Sequence, residues 1–391
     1  MLLHIVERLE GFLGKLPATI QKPILSELTP LKQLFLQQRS PHFLLVGSSK
    51  LPLQEFLPAL SPAGTDQYRE ILLEVFRWQD LNLGKNGIAT ILDARGADDD
   101  DMKKVTEELK HRSADFFLYL EDADSAKPAR KREVENLATL LASNGAAKGA
   151  LVGVVLHRDT AHGTNGRKPR TDLAAHNEKL HAALIAKSSI ADHLISVTDV
   201  ILPTATASAG DREALRAFTT LLTDNLPNEA RVEMIRVSDD REAQARIAQT
   251  LVKSTSAICT AIGAQPIPLA DLPILTTLQL VMVSGIMQLS GRERSLRAAT
   301  EFIAALGVNV GAGMLLREGA RAALKFFPGW GNVVCGMVAG AGTYALGRAA
   351  MVYFLEGQSL KDARRIYLSS KKKAPRHSLP SPAKKAPERS G

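Results

Sequence analysis

The chain has 391 residues, 45% of them hydrophobic, 5% aromatic and 23% charged, with a formal net charge of +8. That length holds two ordinary domains with separate cores, and that composition excludes a disordered chain. Its two cysteines, Cys259 and Cys335, are too few for a disulfide framework and lack metal-ligand spacing, so buried, reduced thiols are expected.

Residues 1–38 read as a helical lead-in. In "MLLHIVERLEGFLGKL" the apolar Leu2, Ile5, Val6, Leu9, Phe12 and Leu13 recur at helical spacing, while Glu7 and Glu10 interrupt the run. A packing helix is expected there, not a signal peptide. "ELTPLKQLFLQQR" predicts a second short helix with Pro30 near its start.

Residues 39–230 alternate apolar runs with amphipathic ones. Strands are expected at 43–47, 69–78, 87–96, 114–122, 150–159 and 193–201, with helices such as "DMKKVTEELKHR", "KREVENLATLLASN" and "DREALRAFTTLLTDNL" between or after them. The fold class is α/β: a mostly parallel sheet covered by helices on both faces. The run at 69–78 directly before 87–96 predicts one antiparallel hairpin at an edge.

Residues 231–369 carry no strand signal and predict an all-α domain. Three uncharged runs stand out there, at 272–291, 302–316 and 326–347; the first and third reach membrane-spanning length. Spanning helices and a buried helical bundle both remain open. Gly307 with Gly311, and Gly336 with Gly340, have the spacing that lets helix backbones approach closely. Residues 370–391 hold seven Lys or Arg and one Glu and read as a disordered basic tail. No aromatics interleave with these cations, so no specific nucleic-acid binding is expected.

The stretch "FLLVGSSKLPLQEFL" (43–57) is laid out as strand, glycine, loop and helix, the plan of a phosphate-binding loop. Its last three loop positions, where lysine and a hydroxyl would hold phosphate and magnesium, are Pro52, Leu53 and Gln54. Lys50 sits at the loop tip instead. "ATILDARG" places Asp93 at a strand tip and Gly96 three residues on, the positions that would reach magnesium and the terminal phosphate. In "VGVVLHRDT" only Asp159 matches a guanine-reading Asn-Lys-x-Asp, and Ser196 in "LISVTD" is a candidate backbone contact to a base. The run Asp98 to Asp101 reads as a helix cap. His157, His162, His176 and His181 read as solvated histidines of loops and helix faces.

In this order, "ELTPLKQLFLQQRSPHFLLVG", "ATILDARG", "VGVVLHRD" and "LISVTD" resemble the G domain of Era-like GTPases. "IPLADLPILTTLQLVMVSGIMQLSG" and "FFPGWGNVVCGMVAGAGTYALGRAAMVYFLEG" resemble the helical domain of unknown function that follows some of these GTPases and also occurs in a bacterial inner-membrane family. The resemblance spans roughly residues 20–369. It implies a G-domain fold of the TRAFAC class followed by a membrane-associated helical module. The implied remnant nucleotide site is Gly47, Lys50, Asp93, Gly96 and Asp159, with Asp93 as the implied metal contact.

Three functions follow as expectations. The first is a pseudo-GTPase: a scaffold or regulatory interaction protein with an unknown protein partner, without a cofactor, at the cytoplasmic face of the inner membrane or in the cytoplasm. The second is a divergent GTP-binding protein or GTP hydrolase that keeps GTP and magnesium. The third is a purely structural membrane protein. The oligomeric state is not legible.

Overall fold

The computed structural model describes residues 18–35, 37–51, 53–61, 74–83, 87–123, 131–145, 148–157, 173–202, 209–264, 271–307 and 330–373. The expected helix at 2–13, Pro52, Asp159, His162, Gly311 and most of the basic tail lie outside these residues. Contacts divide the chain into two compact units. One comprises residues 29–247 with 288–293; the other takes in the described residues up to 28, then 248–287 and 294–373.

The first unit is built on six strands: β1 (His42–Gly47), β2 (Trp78–Leu83), β3 (Gly87–Asp93), β4 (Phe116–Asp122), β5 (Ala150–His157) and β6 (Leu194–Ile201). Their spatial order is β2-β3-β1-β4-β5-β6, with every neighbouring pair parallel except β2 with β3. The inner strands are apolar on both faces because both faces are covered. On one face Phe43, Leu45, Phe116, Leu118, Val152 and Val154 pack against α2 (Leu53–Leu60), α7 (Ala209–Asn225) and α8 (Asn228–Ser238). On the other, Leu44, Val46, Phe117, Tyr119 and Val155 pack against α3 (Asp99–His111), α4 (Lys131–Ala142), α5 (Leu173–Ile185) and the short α6 (Ser188–Ala191). Each fully buried Leu or Phe stabilises the fold by about 2 kcal/mol relative to exposure. The sheet thus owes its stability to strands and covering helices, and its edge loops are free to change.

Two expected elements are displaced. Of the expected edge strand at 69–78, residues 69–73 lie outside the described residues; the strand that pairs with β3 starts at Trp78 and runs to Leu83, and residues 74–77 turn into it with Phe76 at φ 64°. An edge strand mixes polar and apolar residues, so Trp78-Gln79-Asp80-Leu81-Asn82-Leu83 lacks the apolar density of the segment before it. The expected short helix around Pro30 is the second half of α1 (Ala18–Phe35), which runs through that proline.

The second unit is all helical among its described residues. It contains the later part of α9 (Arg241–Gly263), α10 (Asp271–Leu289) to Met287, α11 (Leu296–Ala305), α12 (Trp330–Phe354) and α13 (Leu360–Lys373). Gly336 and Gly340 of α12 face Thr260 of α9; a Cβ at Gly336 would lie 2.7 Å from the Thr260 carbonyl oxygen. The small-residue spacing therefore serves close helix packing. Phe302 of α11 stacks on Tyr353 at 5.2 Å, and Gln279 of α10 donates to the Thr343 hydroxyl of α12 at 2.9 Å. Cys259 is a buried free thiol, pushed up to about 12 by its burial, so it stays protonated. Among the described residues, no helix is long and apolar enough to cross a membrane. α13 continues through Lys373, so the first lysines of the expected disordered tail are helical. No proline interrupts that stretch before Pro375.

Candidate functional site

Ligands of open α/β sheets bind outside the carboxyl ends of the strands, where connections diverge to opposite sides. Here that place is the end of β1, between β3 and β4. β1 ends at Gly47, whose φ of +127° is disfavoured for L side chains and whose Cβ would lie 2.2 Å from the Leu120 carbonyl oxygen of β4. Packing alone requires this glycine. The chain then turns tightly: Leu51 N–H donates to the Ser48 carbonyl at 3.3 Å, and Lys50 N–H to the Ser48 hydroxyl at 3.3 Å. Lys50 is exposed and Leu51 is buried.

β3 delivers Asp93, Arg95 and Gly96 beside this loop. Arg95 is buried, and its guanidinium grips Asp93 as a fork. Nε donates to Oδ1 and Nη2 to Oδ2, each at 2.8 Å, and the Arg95 backbone N–H adds a bond to Oδ1 at 3.2 Å. Nη1 reaches the Leu51 carbonyl at 2.6 Å, which ties the β3 turn to the loop after β1. The Gly96 N–H donates to the Gly47 carbonyl at 3.0 Å. Gly96 takes φ +70°, and a Cβ there would lie 2.7 Å from the Ser49 Cβ. The two turns are thus sewn together by their own polar groups. Both Asp93 oxygens are committed to a guanidinium, and the Gly96 amide to a backbone carbonyl.

Sequence reasoning placed Asp93, Gly96 and Gly47 at one locus, and the structure brings these three together. Arg95 was passed over, although an arginine between a strand-tip aspartate and a glycine is within reach of both. Asp98 caps α3, accepting from the Asp100 and Asp101 backbone N–H groups at 3.0 and 2.9 Å. Those bonds hold its carboxyl below the usual range, the Asp101 amide being the largest cause.

The β5–β6 end is different. Asp199 lies 3.4 Å from His157 Nε2 and accepts from Asn177 Nδ2 at 3.4 Å, with its side chain 43% exposed. The His157 imidazole beside it, chiefly, holds the Asp199 carboxyl below its ordinary range. His176 of α5 sits 3.4 Å from Glu121 at the end of β4, both side chains buried. So His157 and His176 are not the solvated groups expected from sequence. His176 shares a helix face with Leu180 and Leu184, a spacing of four and eight residues that marks a buried position. Burial holds its imidazole below the ordinary histidine range. Ser196 is also not at a strand end: it pairs with Val152 inside the ladder. No group of three or more His, Cys, Asp or Glu among the described residues is arranged to hold a metal ion.

The strand order, with β2 alone reversed, defines an α/β protein built on a six-stranded, mostly parallel sheet covered by helices. No family model matches the chain. It is 30% identical over 132 residues to Magnetosome membrane protein 22 of Magnetospirillum gryphiswaldense, a match covering 31% of this chain and 66% of that protein. The chain therefore spans just under two thirds of that relative's length. A structure of the chloroplast translocon components atToc33 and psToc159 overlaps 55% of this chain and 92% of its own, at 14% identity and a TM-score of 0.36. A bacterial dynamin pair overlaps 95% and 72%, at 11% identity and a TM-score of 0.32.

Proposed function

We propose that the chain is a pseudo-GTPase. In this reading an Era-like G-domain unit serves as an interaction scaffold, and the helical module following it associates with the cytoplasmic face of a membrane. The observation that carries the reading is the Arg95 fork. An aspartate at this strand tip would reach magnesium through water, yet both oxygens of Asp93 face the Arg95 guanidinium at 2.8 Å. The loop offers Leu53 and Gln54 where a phosphate-binding lysine and a magnesium-binding hydroxyl would stand. The Gly96 amide is spent on Gly47. These residues do not fit a nucleotide with magnesium, and no step of the proposed role runs through one.

A fold outlives its chemistry when its core does not depend on the lost site. The apolar strand faces meet that condition. The membrane part is supported by the name of the M. gryphiswaldense relative and by the mostly apolar helices α10 and α12, each of which holds a single charged residue, Asp271 and Arg348. The partner of the sheet unit is a protein of unknown identity.

Titration of the purified chain with a fluorescent GTP analogue, with and without magnesium, tests this function. No saturable binding is expected below about 1 mM. A micromolar dissociation constant that Asp93→Asn abolishes would overturn the proposal and favour a divergent GTP-binding protein.

A further inference from the structure

α13 carries charge out of proportion to its length. One side packs into the helical unit, with Ala363 fully buried and Tyr367 7% exposed. At 3.6 residues per turn, Lys361, Arg364, Arg365 and Leu368 fall on the other side, within an arc of about 100°, and Lys371 and Lys372 follow them in the sequence. Lys361, Arg364 and Arg365 are exposed, and Leu368 stands 48% exposed among them. The one carboxylate of the helix, Asp362, lies off that arc. It accepts from the Ser359 hydroxyl at 2.6 Å and pairs with Arg365 at 3.4 Å. Past the helix the sequence adds Arg376, Lys384, Lys385 and Arg389 against Glu388.

We infer that this face of α13 docks on an anionic phospholipid surface. The inference rests on the membrane-associated reading above and names its point of contact. Clustered lysines and arginines are drawn to the negative potential of such a surface, and the attraction fades within a Debye length, so it is sensitive to salt. Leu368 gives the face an apolar contact at the headgroup boundary, which a duplex phosphate backbone would leave unused. The apolar side of α13 is already buried in its own core. The helix therefore lies on the surface without sinking into it, and its binding is peripheral and reversible.

Co-sedimentation of the full chain with vesicles tests the inference. Vesicles of phosphatidylcholine with about one third phosphatidylglycerol are compared with phosphatidylcholine alone, at low salt and at about 0.5 M sodium chloride. Binding is expected only to the anionic vesicles at low salt. Lys361→Gln/Arg365→Gln/Lys372→Gln is expected to weaken it about tenfold, and Leu368→Ala about twofold to threefold, with melting temperatures unchanged. Arg364→Lys/Arg365→Lys, which keeps the charge, should bind like the wild type.

A triple variant that sediments like the wild type would overturn the inference. Equal binding to both vesicle types would move the contact to an apolar surface and overturn the α13 assignment, leaving membrane association intact. No binding to either would overturn both. Tighter binding to duplex DNA in the same salt, lost in the triple variant, would reassign the face to nucleic acid.

Discussion

The central strand of the sheet is closed at each end by an arginine–aspartate fork, and the two forks differ in depth. At the amino end Arg39 donates to both oxygens of Asp115 at 2.6 Å, and Asp115 also accepts from the His42 N–H at 2.9 Å. The Arg39 side chain keeps 37% exposure against 6% for its partner. At the carboxyl end the Arg95 and Asp93 side chains are 7% and 6% exposed. Nothing binds at the amino edge of an open α/β sheet by rule, so the first fork reads as a structural closure. The second has the same chemistry, more deeply buried, at the edge where such sheets bind ligands. The carboxyl edge has been built like the amino one.

If depth is what separates the two ends, breaking the deeper fork costs more. Arg95→Ala strands a buried carboxylate and should destabilise the sheet unit by about 3–5 kcal/mol in urea unfolding. Gly47→Ala forces a Cβ toward the Leu120 carbonyl at positive φ, with an expected loss of about 3 kcal/mol by the same measurement. Arg39→Ala leaves a guanidinium site that water already reaches, and about 2 kcal/mol is expected. Equal losses at Arg39 and Arg95 would break the comparison.

The smallest effect is expected at the β5–β6 end, where Asp199 is half exposed. Asp199→Asn should cost no more than about 1 kcal/mol at neutral pH. The sign of its pH dependence follows from its depressed carboxyl. The folded form loses its proton more readily than the unfolded chain, whose aspartates titrate near about 3.9. The stabilisation is thus complete above about pH 5 and is lost as pH falls through the folded value, below about pH 4. Melting curves between pH 3 and 6 should show a shallower acid decline in Asp199→Asn than in the wild type.

Four of the six strands were legible because a strand buried on both faces is a dense apolar run: "FLLVG", "ATILD" and "ALVGVVL" need no partner to be recognised. β6, an edge strand, was legible through its β-branched residues from Ile195 to Ile201, whereas β2, at the other edge, has none and alternates polar residues with its apolar ones. The positions of Asp93 and Gly96 were legible from spacing alone. What Asp93 does was not, since the sequence does not say that the next arginine folds back rather than out. The same limit hid His176 of α5, whose carboxylate neighbour Glu121 lies on β4.

The account stands on the coupling between Asp93 and Arg95. A double-mutant cycle with Asp93→Asn and Arg95→Met in urea unfolding measures it directly. A coupling of at least about 2 kcal/mol is predicted, with the double variant more stable than the sum of the two losses implies. A coupling near zero would mean that Asp93 does not depend on Arg95, and would contradict the view that this edge has been closed from within.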